Sequence, residues 1–129
     1  MKWVGQHIWD QVSRFRNDVY FETNTVTLTS ANANDPQLFL ENTTDDAGSA
    51  KLKFNTNRGA DGQDGDKVGQ IEFWGYDDGT PTAEQYGKIF TEIHDATSDQ
   101  ESGSMELRVA SHDGELQPGL VITGGSVED

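Results

Sequence analysis

At 129 residues the chain has room for one ordinary domain and not for two comfortable ones. Its hydrophobic content of 33% lies below the roughly 45 to 50% of globular domains counted with glycine, and its 14 glycines only narrow that gap, so neighbouring subunits are expected to supply part of the burial. The absence of cysteine excludes disulfides and thiolate metal sites, and a net charge of -14 argues against binding a phosphate backbone.

The charge is unevenly placed. In residues 1–30, Lys2, Arg14 and Arg16 cancel Asp10, Asp18 and Glu22, so the whole acidic excess falls in residues 31–129. The opening segment is too often interrupted by polar residues to form the apolar run of a secretory signal or a membrane span, and a soluble protein with no membrane insertion is expected.

From Trp3 to about Arg16, Val4, Ile8, Val12 and Phe15 recur in steps of 4, 4 and 3 with Trp9 beside them, which predicts an α-helix with one apolar stripe. Such a short helix is marginal alone and needs a docking surface. That surface is either the chain's own sheet or a larger assembly that Trp3, Val4, Ile8, Trp9, Val12 and Phe15 would anchor or trimerise. Trp, Val and Ile suit strands as well, which leaves the helix in competition with extended structure.

After Asn17 the period changes to two. Val19 and Phe21, then Val26 and Leu28 among threonines, predict two short strands. The polar run from Ser30 to Pro36 predicts a break and a hinge, dividing an N-terminal attachment segment, residues 1–30, from an acidic β-rich body, residues 31–129. Within the body, strands are expected at Gln37–Glu41, Ala50–Asn55, Val68–Tyr76, Tyr86–His94, Ser104–Ser111 and Leu120–Thr123. Ile71 and Phe73, then Ile89, Thr91 and Ile93, alternate with polar neighbours around Asp77-Asp78-Gly79-Thr80-Pro81, which predicts an antiparallel hairpin.

Glycines 69, 87, 103 and 119 each stand just ahead of an expected strand at spacings of 18, 16 and 16 residues, with an earlier copy at Gly48. The fold class expected is all-β: short antiparallel strands in a Gly-led repeat, forming either a trimeric fibre-type body or a monomeric β-sandwich, with an N-terminal α-helix. Glycine within a strand marks a bulge or a close backbone approach, which suits strands packed around a shared axis. A simple meander of short strands would show the same turn glycines. The final Gly119–Asp129 enters a strand, turns on two glycines and stops, as expected for the front of a longer polypeptide.

Chemistry-bearing motifs are few. Asp61, Asp64, Asp66 and Glu72 fall at positions 1, 4, 6 and 12 of a calcium-loop spacing, but Gln63, Gly65 and Asp66 occupy the positions that define an EF-hand. A flexible acidic loop is the main reading; a hard-cation site from Asp61, Asp64 and Asp66 is the weak alternative. Trp74 and Tyr76, with Asp77 and Asp78, form an aromatic and acidic cluster of the kind that stacks on sugar rings, or else they cover a second apolar face. His7, His94 and His112 have no metal-ligand spacing, and no nucleophile elbow or phosphate loop is present, so neither a cofactor nor an enzyme is expected.

Two sets of residues carry a resemblance. Lys2-Trp-Val-Gly-Gln-His-Ile-Trp-Asp with Ser13-Arg-Phe-Arg-Asn-Asp-Val-Tyr-Phe resembles the start of tail-fibre-like proteins of marine bacteriophages. Gly69-Gln-Ile-Glu-Phe, Tyr86-Gly-Lys-Ile and Gly103-Ser-Met-Glu-Leu are similar to strand repeats of phage fibre shafts. The resemblance implies a homotrimeric structural protein of the virion, attached to a tail or baseplate protein through its N-terminal segment and projecting its β body toward a host surface glycan. No active site is carried over with it.

Overall fold

The computed structural model describes residues 14–125. The chain is all-β over these residues, with four strands: β1 (Lys67–Tyr76), β2 (Ala83–Asp95), β3 (Ser102–Ala110) and β4 (Leu116–Thr123). They form one antiparallel sheet in the order β1-β2-β3-β4. No helix occurs among the described residues. The helix expected from Trp3 falls almost wholly outside them, and Phe15, its one apolar residue inside, is exposed in irregular chain.

The chain divides into two units, Met1–Thr43 and Thr44–Asp129. Residues 14–43 of the first are irregular, with bends and one turn, and are exposed. The break expected at Ser30–Pro36 is a turn: Asn34 has φ 67° and the Asn32 N–H donates to Ser30 Oγ at 3.1 Å.

The strands expected around Val19, Val26, Gln37–Glu41 and Ala50–Asn55 are not formed. Alternation and β-branching make these segments extended, but a strand also needs a hydrogen-bonding neighbour, and the described chain pairs none of them. The four strands that do form are neighbours in sequence joined by short turns, which keeps their pairing local. Asp77 closes the first turn, its N–H donating to Thr82 O at 3.2 Å and its carboxylate accepting the Thr82 N–H at 2.9 Å. Gly114, at φ 83°, closes the last in a left-handed conformation that glycine adopts without a Cβ clash.

Register sorts the side chains into two unlike faces. Ile71 stands opposite Ile89, Ile89 opposite Leu107 and Leu107 opposite Leu120, while Met105 faces Ile122. With Phe73, Ile93 and Val109 these residues occupy one face, interleaved with Gly69, Gly87, Thr91 and Gly103, and no charged side chain lies among them. Gly69, Gly87, Gly103 and Gly119, expected ahead of the strands, thus lie within them, and at Gly69 the missing Cβ makes room for a large neighbour. A Cβ at Gly69 would meet Phe54 Cβ at 2.7 Å, and one at Gly87 would meet the Phe73 ring at 3.5 Å.

The opposite face carries Phe90, only 4% exposed and the one buried hydrophobic residue among those described. Lys67, Lys88 and Arg108 place their cations 4.8, 5.0 and 5.1 Å from its ring centroid. Their aliphatic stems cover the ring while their charges reach water and the neighbouring acids. Lys67 pairs with Glu92, and Arg108 Nε donates to Glu106 Oε2 at 2.7 Å.

Candidate functional site

The cluster expected to bind sugar lies at the turn end of the β1–β2 hairpin. A register shift falls there: Phe73 pairs with Gly87 and Trp74 with Gln85, so the extra residue, Tyr86, is on β2 and the alternation of β1 runs on unbroken. Trp74 and Tyr76, paired with Gln85 and Ala83, therefore project together from the face opposite Ile71 and Phe73, as expected. Trp74 lies beside Glu72 on that face, donating its indole N–H to Glu72 Oε2 at 2.9 Å.

Trp74 and Tyr76 are 59% and 72% exposed, as a stacking surface requires. Asp77 is engaged in closing the turn, which leaves Asp78 as the solvent-facing acid of the expected pair. The structure adds Tyr86, which the sequence reading placed only as a strand residue. Its ring lies 3.1 Å from where a Cβ on Gly75 would stand.

The acidic loop is folded back on the sheet. Gly65 N–H donates to Ile93 O at 2.7 Å, Ile93 N–H to Asp66 O at 2.9 Å, and Ala96 N–H to Asp64 Oδ1 at 2.8 Å. The Asp66 carboxylate accepts the Gln63 N–H at 2.9 Å and pairs with Arg58 at 2.6 Å. Those two contacts, the backbone one first, hold its carboxyl below the ordinary 3.8. Asp64 and Asp66 thus act as loop fasteners, and among the described residues no three acidic or histidine side chains converge as a metal site would need. Asp61, Asp64 and Asp66 are not brought together.

His94 Nδ1 lies 3.0 Å from Ser102 Oγ, a pairing made by the bulge between Ile93 and Asp95. The adjacent Asp95 carboxylate accepts the Thr97 N–H at 2.8 Å, which lowers its pKa and turns it to the loop. Of the anchoring residues, Trp3, Val4, Ile8, Trp9 and Val12 lie outside the described residues. No helix among the described residues is long and apolar enough to cross a membrane.

The apolar sheet face is a second exposed surface. Phe54 covers one corner at Gly69 and, with Ile71, Ile89, Thr91 and Met105, lines a groove of about 300 Å³. Phe73, Met105, Leu107, Val109, Leu120 and Ile122 remain exposed. Phe90 is the residue the sequence reading passed over, since it occupies the polar phase of β2; Lys88 two residues before it, on the same face, was the available signal. No protein-family model, curated protein or solved structure matches the chain.

Proposed function

We propose that the protein is a structural subunit of a phage tail fibre, homotrimeric, anchored to a virion tail or baseplate protein by its N-terminal segment and projecting its β-rich body toward the host. The observation that carries this reading is the uncovered, charge-free apolar face of the sheet. A four-stranded sheet with one apolar face needs a second layer, and the described residues of the unit Thr44–Asp129 supply none. Identical chains fit that need. In a protein of net charge -14, a face with no carboxylate is where like-charged copies can meet without repulsion.

Sedimentation velocity over a wide concentration range tests the reading: a trimer is expected, and a monodisperse monomer throughout would overturn it.

A second reading has its own observation. The exposed Trp74 and Tyr76, with Asp77 and Asp78, favour a carbohydrate-binding module. Glycan-array binding by the wild type that is lost in Trp74→Ala would support it; silence of both proteins would count against it.

A further inference from the structure

We propose that a cavity at the end of the β2–β3 ladder, next to the β3–β4 turn, binds a single neutral sugar ring. Glu84, Gln85 and Tyr86 of β2 form one wall and Ser111 and His112 of the turn the other, around about 210 Å³. This site shares Tyr86 alone with the Trp74 cluster and does not rest on the trimer.

Three observations lead to the ligand. The side-chain nitrogen of Gln85 is buried and has no hydrogen-bond partner. An unmet buried donor is costly, and an acceptor placed in the cavity would relieve it. Next, the turn wall is already fixed. Ser111 N–H donates to Glu115 O at 2.8 Å and Gly114 N–H to Ser111 O at 2.9 Å, while the Ser111 hydroxyl donates to the Asp113 carboxylate. That hydroxyl, with the Glu115 N–H, holds the Asp113 carboxyl below its ordinary value, so the turn's own acid is ionised and engaged. Last, the Tyr86 ring, 49% exposed, offers a flat apolar surface whose position is set by Gly75.

The chemistry of the walls selects among ligand classes. An anion would meet Glu84 and the field of a strongly acidic chain. An apolar group would leave the Gln85 amide unpaired, and a cation would meet that same donor. A sugar ring answers each wall: hydroxyls accept from Gln85 and donate to Glu84, and the C–H face lies on Tyr86. The volume is below the roughly 300 Å³ at which drug-sized pockets begin, which limits the ligand to one ring.

The test is a two-dimensional amide NMR titration of the full chain with D-glucose, D-galactose, D-mannose and N-acetyl-D-glucosamine in turn, with glycerol as the control. At least one sugar, and not glycerol, is expected to shift the Gln85 side-chain amide and the Tyr86 ring signals. Gln85→Leu is expected to weaken that sugar about tenfold, the equivalent of one lost hydrogen bond. The wild-type signals alone decide the matter if the variant does not fold. The proposal is overturned if no sugar moves Gln85, if the shifts centre on the Trp74 indole, or if Gln85→Leu binds as tightly as wild type. Sedimentation of the same sample reports the oligomeric state independently, so failure here is separable from failure of the trimer reading.

Discussion

The two faces of the sheet are built from alternate residues of the same four strands, yet only one of them covers itself. On the charged face, Phe90 is buried by the stems of Lys67, Lys88 and Arg108, whose head groups pair with Glu92 and Glu106 or remain solvated. On the apolar face, nine large aliphatic, sulfur and aromatic side chains gather without a lid beyond Phe54. A long cationic side chain can bury a neighbour and still reach water, whereas Ile or Leu needs something else laid over it. The first face is covered by its own strands, and the second is left largely uncovered by the described residues.

The largest test of that contrast is a charge placed on each face in turn. In the proposed trimer, Leu107→Glu would bring unpaired carboxylates into the core between chains at about 3 to 5 kcal/mol per chain, enough to abolish assembly. Val121→Lys, opposite Glu106 on the other face, should leave assembly intact, because opposite charges across a strand pair are favourable. Sedimentation velocity of both variants checks the pair; equal behaviour would remove the distinction between the faces.

Phe90→Ala is next in size. Truncating a buried Phe costs about 3 to 5 kcal/mol, with this site expected near the lower end because a single layer of side chains covers it. Denaturant unfolding should show the loss, with the oligomeric state unchanged until the sheet itself melts. A cost under about 1 kcal/mol would mean that the cations do not seal the ring.

Gly69→Ala probes the one corner of the apolar face that the chain covers for itself. Its Cβ would overlap Phe54 at 2.7 Å, forcing a shift of about 1 to 3 kcal/mol in melting experiments. Gly87→Ala, with 3.5 Å to Phe73, is the matched control and should cost less.

The smallest effect concerns acid. The folded-state pKa of Asp66 is lowered, by the Gln63 N–H and then by Arg58, so its contribution is fully present above the unfolded value and is lost as pH falls through the folded one. Stability should therefore decline below about pH 4, and Asp66→Asn should flatten that limb of the melting-temperature profile. An unchanged profile in the variant would assign the acid limb to other carboxylates such as Asp95 and Asp113.

Much of the sheet was legible in advance. Val68–Tyr76 and Tyr86–His94 were recognisable as a hairpin because apolar residues at every second position flank a turn of Asp, Gly and Pro, and the structure extends these strands by a few residues only. Ser104–Ser111 was placed to within two residues at its start and one at its end, while Leu120–Thr123 was only the second half of β4. Its first half, Leu116–Gly119, contains Pro118 and Gly119, which read as breakers yet sit at a bulge opposite Leu107 and Arg108. The shared face of Trp74 and Tyr76 was legible in the alternation of β1, whereas the extra residue Tyr86 on β2, which lays a further ring over Gly75, leaves no mark in the sequence.

The sequence by itself determined which residues alternate, where the turns fall and that the chain is short of core-formers, because each is a local property of period, turn chemistry or composition. Only the tertiary structure decided which extended segments become strands, since a strand requires a neighbour and alternation does not name one. It also decided register and bulges, which set Ile71, Ile89, Leu107 and Leu120 in one row and Phe90 in the other. The same extended backbone is thus a strand at Gly69–Phe73 and unpaired chain at Leu38–Leu40, the difference being a hydrogen-bonding partner.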